Sequence, residues 1–599
     1  MAVLTERLNL KGQSKTLRGA DFGLVPNTKR SMSSAAALAL IAAQQCDKST
    51  LALDPGTYNF FPDDAQSHLC WISNNNAGQK QVAFPIVNCE SLTIDGLGAE
   101  FIFHGAISPF VVDNSRNISL RNLTIDWSDP VTLFGQILNV DHHRVRIAID
   151  PKCRYRIENG RILTGPIHWE ASIGGFIELE PISKTPAYRT GDVWNDGNWD
   201  VSFAELEPHV VTFDCPPHRT VTPGNHIVFL RGDRNNPGIF VTESSNIAVE
   251  NVTVYQSPAM AFIAQRTENI SLDRFNVMLR ERTGQIVSAS ADATHFVGCR
   301  GQITIKNCLF EGQLDDPGNV HGTYVKLLTV IDARTVIVGR MHPEQLGVPY
   351  AGPGDKLSGI EPSTMEHVIS VTVSAVEEIN PKQLKIVFAE PLQDINIAGL
   401  VFENDSWVPD LHIDNCIARR NRARGFLIST PGQVVIENCT LHPGGTGILI
   451  PGESEYWFES GAVRDVTLRN NMFINCETSA WGRAAIDITP MIPNIAGRKS
   501  PFHCNITIEG NQFNTFDIAI LAAWSVDGVK FCNNSVTRNN DYIPFGAQKD
   551  VLSFVQCENV VVEGNTFCAL SRDGVVRLDS QSALGSKVDL AGGLVLTVQ

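Results

Sequence analysis

The 599-residue chain carries 48 Lys and Arg against 64 Asp and Glu, a formal net charge of -16, with 43% hydrophobic residues. Such a length buries a large core but exceeds one compact globule unless the fold is elongated. The acidic balance argues against nucleic acid or an anionic membrane surface as partner, because both need basic patches, and leaves neutral substrates such as sugars open.

The first residues, MAVLTERLNLKGQSK, lack the basic-then-apolar layout of a secretory leader. An intracellular protein, or a mature or trimmed form of a longer one, is expected on that reading. No apolar run reaches membrane-spanning length, so no membrane span is expected. The segment from Ser31 to Gln45, with AAALALIAA at its heart, reads as a short helix that caps the open end of a sheet. Leu51 to Pro62 and Phe84 to Gly105 then read as strands.

From there a repeat dominates: a short apolar strand, a turn built on Asn, and a second apolar pair. It appears as NISLRNLTI from Asn117, NIAVENVTV from Asn246, NISLDRFNV from Asn269, QITIKNCLF from Gln302, QVVIENCTL from Gln433 and NVVVEGNTF from Asn559. No unit has enough apolar surface to fold alone, so neighbours must stack. Ile- and Val-rich strands at this spacing point to an all-β fold, a right-handed parallel β-helix. Asn at the turn suits left-handed backbone and can form a side-chain ladder between coils. The N-x-S/T triplets at Asn117, Asn122, Asn251 and Asn269 fall in these turns and reflect the fold. The 14 cysteines form no CxxC pair; several sit beside the repeat's Asn, as small reduced hydrophobes would.

Two stretches break the repeat with alternating strands and Gly-rich turns. The division expected is an N-terminal cap and first coils over 1–127, a first barrel-like insertion over 128–238 and central coils over 239–321. A second barrel-like insertion over 322–400 and final coils over 401–599 complete it. Exposed flat faces on such a coil favour association, so a homo-oligomer is an open expectation.

Chemistry concentrates between Ser288 and Lys326. Asp292 and His295 precede one strand; Asp315 and Asp316 follow it, before a Pro317–Gly318 turn, with Asn319 and His321 beyond. Each aspartate could instead be a solvated turn residue, and Asn319 and His321 could bind sugar hydroxyls or tie down the loop. Trp127, Trp407 and Trp457 each neighbour an acid, namely Asp126, Glu403 and Glu459, and could offer aromatic platforms to a sugar ring. Arg422 and Arg424 could bridge acids in a cleft or lie on a solvated edge.

These segments resemble one known family, the α-1,3-galactosidases of glycoside hydrolase family 110. FPDDAQSHLCWISNNNAGQKQVAFPIVN, NLTIDWSDP, DATHFVGCRGQITIKNCLFEG, NRARGFLIST and, most tellingly, DDPGNVHGTY and YWFESGAV carry the likeness, which spans roughly Phe61 to Asn471. The resemblance implies a β-helix with two inserted barrel-like domains. It further implies hydrolysis of terminal α-1,3-linked galactose with inversion, from blood-group-B-type or linear Gal-α-1,3-Gal glycans, with no cofactor and no metal. By the same match, Asp292, Asp315 and Asp316 fall on the acidic positions associated with catalysis.

Inversion needs a general acid and a general base about 6.5–9.5 Å apart. Asp315 or Asp316 would be the base, the turn at Pro317 letting both face one sugar. For the acid, Asp292, Glu344, Glu403 and Glu459 all stay open, and any of them could bind hydroxyls instead. Asp292 sits about one coil before Asp315, so stacking could bring the two close. A polygalacturonase-like hydrolase would want basic residues in the cleft to bind uronate carboxylates, whereas this site is acidic with few lysines, which favours a neutral galactoside. A pectate lyase would need an arginine base, for which Arg340 is a poor candidate. A non-catalytic β-helical glycan-binding protein is the third reading.

Overall fold

The computed structural model describes residues 14–598 except 166–168, 195–200, 217–218, 393–396, 480, 546–549, 569–573 and 591–593. The N-terminal stretch read above for a leader therefore lies largely outside the described residues. Among those described, no helix is long and apolar enough to cross a membrane.

The chain forms the expected parallel β-helix. Two long parallel ladders run its length, one of 22 and one of 15 strands. Alternate residues point inward: in Thr294–Val297, Phe296 enters the core while His295 faces out, and in Phe426–Ser429, Ile428 enters while Leu427 faces out. That period of two is what a strand dictates. Stacking turns these inward residues into one continuous core, from Leu17 to Leu594. At the N-terminal end the rings of Phe60, Phe84 and Phe101 pack at 5.1–5.4 Å. The helix Ser33–Ala43 buries Ala36, Ala39, Leu40 and Ala43 against the same core and caps that end.

Asn holds the corners. Asn117, Asn246 and Asn269 all take left-handed backbone, and their amides hydrogen-bond in series at 2.9 and 3.1 Å. A second ladder, of Asn471, Asn511, Asn534 and Asn565, is fully buried. Cys308, Cys416 and Cys439 occupy the equivalent inward position on earlier coils, and all three are free thiols.

Both insertions leave the coil's register intact. Ser245–Val254 pairs directly with Arg116–Trp127 across the first, and Pro409–Asp414 pairs with Arg300–Lys306 across the second. Between them the first insertion folds as a nine-stranded antiparallel sheet around its own core of Leu133, Phe176, Phe213 and Phe229. The second is a closed six-stranded barrel, whose last strand is Val401–Asn404.

Candidate active site

Where the coil passes between the two insertions, a cavity of about 590 Å³ opens. Its floor is the second ladder. Thr294–Val297 pairs in parallel with Gly318–Thr323, His295 opposite Asn319, and Gly318–Thr323 pairs with Phe426–Ser429, Asn319 opposite Leu427. Just before each strand the ladder's hydrogen bonds continue: Ala293 N–H donates to Asp316 O at 2.9 Å. Asp292, Asp316 and Arg424 are therefore stacked at successive rungs, about 4.8 Å apart in backbone. The acids come together because they share a register position on adjacent coils, not because they end one strand.

Burial and arginines set the electrostatics. Arg234 donates to Asp315 Oδ2 at 2.8 Å, and Arg422 Nη1 lies 3.6 Å from Oδ1. Burial alone would raise the Asp315 carboxyl, but Arg422, Arg234 and Arg424 together hold it below the ordinary carboxylate range. Asp316 accepts three bonds from Arg424, one from its backbone N–H and two from its guanidinium, at 2.9–3.1 Å. Burial, with Asp315 and Asp292 close by, still pushes Asp316 up to about 7 against that pull. Among the described residues no arginine pairs directly with Asp292, though Arg234 and Arg424 act on it from farther off. Burial first, and the neighbouring Asp315 second, raise its carboxyl well above the usual range.

Asp292 Oδ2 lies 2.6 Å from His295 Nδ1, and His295 Nε2 lies 3.0 Å from His321 Nε2. Burial lowers His295 to about 4, and His321 is lowered for the same reason. Glu459 reaches the end of this chain, 3.5 Å from His321 Nε2, and accepts from Asn74 Nδ2 at 3.1 Å. Against burial, His321, His295 and Arg424 keep Glu459 below its ordinary range.

The walls come from far apart in sequence. Trp194, Arg231 and Arg234 belong to the first insertion, Glu344 to the second, and Tyr456, Trp457 and Trp481 to later coils. Three of these aromatics stand partly in solvent, Tyr456 being 67%, Trp194 44% and Trp457 36% exposed, so their faces are open to a ligand. Among the described residues, Asn319 Oδ1 is buried and has no hydrogen-bond partner, a group that a sugar hydroxyl would satisfy.

Of the residues singled out in the sequence, Asp292, Asp315, Asp316, Asn319, His321, Glu344, Trp457 and Glu459 meet at this cavity. Three do not. Asp126 binds Arg280 and Gln256 at a separate, smaller cleft, and Trp127 beside it is 3% exposed, its indole donating to Gly105 O. Glu403 lies in the second barrel's closing strand, against Tyr324. Trp407 lies under the guanidiniums of Arg266 and Arg300. Arg340 is buried in the second barrel and bonded to Glu378.

Sequence reasoning missed Arg231, Arg234, Trp194 and Trp481. Four arginines line the cavity, each engaged with an acid: Arg231 with Asp233, Arg234 with Asp315, Arg422 with Asp192, and Arg424 with Asp316. The run LRGDRNN, two arginines around an acid just before the coil resumes, was the available signal. Among the described residues, no group of three or more His, Cys, Asp or Glu is arranged to hold a metal ion.

Residues 135–227 match the family model of GLAA-B β-barrel domain I, and 335–396 that of domain II. The chain is 36% identical over 584 residues to an α-1,3-galactosidase B of Phocaeicola vulgatus, covering 92% of this chain and 95% of that protein. It is 32% identical to one from Bacteroides thetaiotaomicron, covering 93% and 92%. It is 31% identical to an α-1,3-galactosidase A of Shewanella woodyi, covering 94% and 93%. Among solved structures, the Agl-KA catalytic domain is similar at a TM-score of 0.46 and 11% identity, covering 98% of this chain and 68% of that one.

Proposed function

The chain belongs to the α-1,3-galactosidases of glycoside hydrolase family 110, and from that premise we propose that it releases terminal α-1,3-linked galactose with inversion, Asp292 as general acid and Asp315 as general base. The observation that carries the assignment is the contrasting surroundings of two carboxyls in one cavity, Asp315 among arginines and Asp292 buried against His295. Asp292 keeps its proton for the leaving oxygen, while Asp315, ionised among arginines, can take one from water.

The other groups follow. Asp316, held by three bonds from Arg424, orients the pair and caps a sugar hydroxyl. Asn319 offers its free Oδ1 to another hydroxyl. Trp194, Trp457 and Trp481 present apolar faces to the galactose and to the sugar that leaves. Glu344, half-buried on the opposite wall, faces the aglycone.

The test is galactose release from B-type trisaccharide and from linear Gal-α-1,3-Gal by wild type, Asp292→Asn and Asp315→Asn, with the product anomer followed by proton NMR. Release of β-galactose by wild type, lost by at least about a hundredfold in each folded variant, is expected. Initial release of the α-anomer would sink inversion. Four arginines in the cavity favour one second reading, hydrolysis of a uronate polymer. Activity on polygalacturonate, with none on either galactoside, would establish it instead.

A further inference from the structure

Lys80 is a buried cation that the fold leaves without a counter-charge. It lies in the strand Gly78–Val87, directly opposite His68 of the antiparallel strand Gln66–Cys70, and is 4% exposed. Its ammonium carries three protons, and among the described residues one neutral acceptor meets them, Asn235 Oδ1. No carboxylate among those residues pairs with it, in contrast to the four arginines of the active cavity, each of which meets an acid. A charge removed from water is costly unless it is paired.

The neighbouring titratable groups do not make up the deficit. His68 is turned to Asp113, its Nε2 lying 3.0 Å from Oδ2. Cys70 would favour the ammonium as a thiolate, but burial raises it to about 12 and keeps it neutral. Asp63 stands exposed at the rim and is not among the groups that act on Lys80.

Lys80 opens onto a cavity of about 600 Å³, within the range of small-molecule sites. The run 231–236 divides it from the active cavity: Arg231, Gly232 and Arg234 line the latter, Asn235 and Asn236 this one. Trp169 forms one wall, partly buried, with the Arg231 guanidinium 5.6 Å from its ring centroid. Amides line the rest. Gln79 is exposed, Gln81 donates to Ser67 Oγ at 2.9 Å, and Asn235, its Oδ1 taken by Lys80, has N–H groups to offer.

An aromatic wall, several amides and an unpaired ammonium are together the complement of a pyranose that carries a carboxylate. We propose that this cavity is a second carbohydrate site, for an acidic sugar, with Trp169 against the ring and Lys80 on the carboxylate. A neutral sugar would leave the ammonium unmatched, and a simple anion would leave Trp169 unused. Uronates and sialic acids share this chemistry, the carboxylate sitting on C5 of the one and on the anomeric carbon of the other. No catalytic group takes part, so the site stands apart from the galactosidase reading. Burial lowers Lys80 to about 8, so the binding cation is itself lost in mildly alkaline solution.

The test is a saturation-transfer NMR titration of wild type, Lys80→Met and Trp169→Ala with glucuronate, N-acetylneuraminate and glucose. Wild type should bind one acidic sugar at least about tenfold more tightly than glucose, and each variant should lose at least about tenfold of that affinity. Which acid binds identifies the source. In wild type the affinity should fall as pH rises through about 8. Equal affinity for glucose, no binding of either acid, or acid binding that both variants keep overturns the proposal, the last because it places the anion elsewhere. Should the variants misfold, wild type alone decides: acid binding that is as tight at pH 9.5 as at pH 7 also overturns it.

Discussion

Two aspartates in one cavity should respond oppositely to the same substitution. Asp292 has its folded pKa raised, by burial first and Asp315 second. Its neutral form suits the fold, so its favourable contribution is full below the unfolded value near 4 and is lost as pH rises through the folded value. Asp292→Asn cannot ionise, and it should raise the melting temperature at pH 7, with the gain vanishing toward pH 4. Asp315 is the reverse case. Asp315→Asn leaves Arg234 and Arg422 short of a buried counter-charge and should cost about 3–5 kcal/mol at neutral pH, read by thermal or urea unfolding. Asp292, Asp315 and Asp316 were legible because a turn rich in acids interrupts an otherwise apolar repeat. Asp126 with Trp127 and Glu403 with Trp407 misled for a physical reason: an aromatic close to an acid in sequence need not share its surroundings, and here each found its own partners away from the cavity.

At the scale of the repeat, Asn does two different jobs that the sequence shows as one. On the corner of each coil it supplies left-handed backbone in solvent; inside, Asn471, Asn511 and Asn534 satisfy one another away from water. Asn511→Ala should cost about 2–4 kcal/mol, because it strands polar groups on both neighbours, whereas Asn246→Ala, on the exposed ladder, should cost less than half as much. Chemical denaturation of the pair checks this. Gly425 is the tightest point beside the site. A Cβ there would meet Gly447 O at 1.8 Å. Gly425→Ala should therefore push Arg424 off Asp316 and lower kcat along with stability, in a pH–rate assay that also shows the Asp316 carboxyl titrating differently. Helix, ladders and corner residues were readable because their periods are strict. The reach of Arg234 and Trp194 into the cavity was not, since an antiparallel insertion has no register with the coil it decorates.

Across the whole molecule, a buried pair, beside the Arg234–Asp315 contact, ties the first insertion to the catalytic coil. Arg422 donates to Asp192 through Nε at 2.7 Å and to Leu314 O at 2.8 Å, with both charged side chains less than a tenth exposed. Asp192→Asn should loosen this wall, lowering kcat/KM by roughly tenfold while leaving the coil's own unfolding transition in place; activity and a two-probe melt together would show it. The two insertions were visible as breaks in the repeat, and their all-β character as alternating strands. The same uninterrupted register has a temporal side. Arg116–Trp127 must wait for Ser245–Val254 as its next rung, so during synthesis the growing solenoid stalls at an open edge while the whole first insertion leaves the ribosome. At about 5–20 residues per second that pause is on the order of ten seconds, during which an apolar edge rung stands unpaired. Nascent-chain aggregation, and any need for a chaperone, should concentrate in that interval.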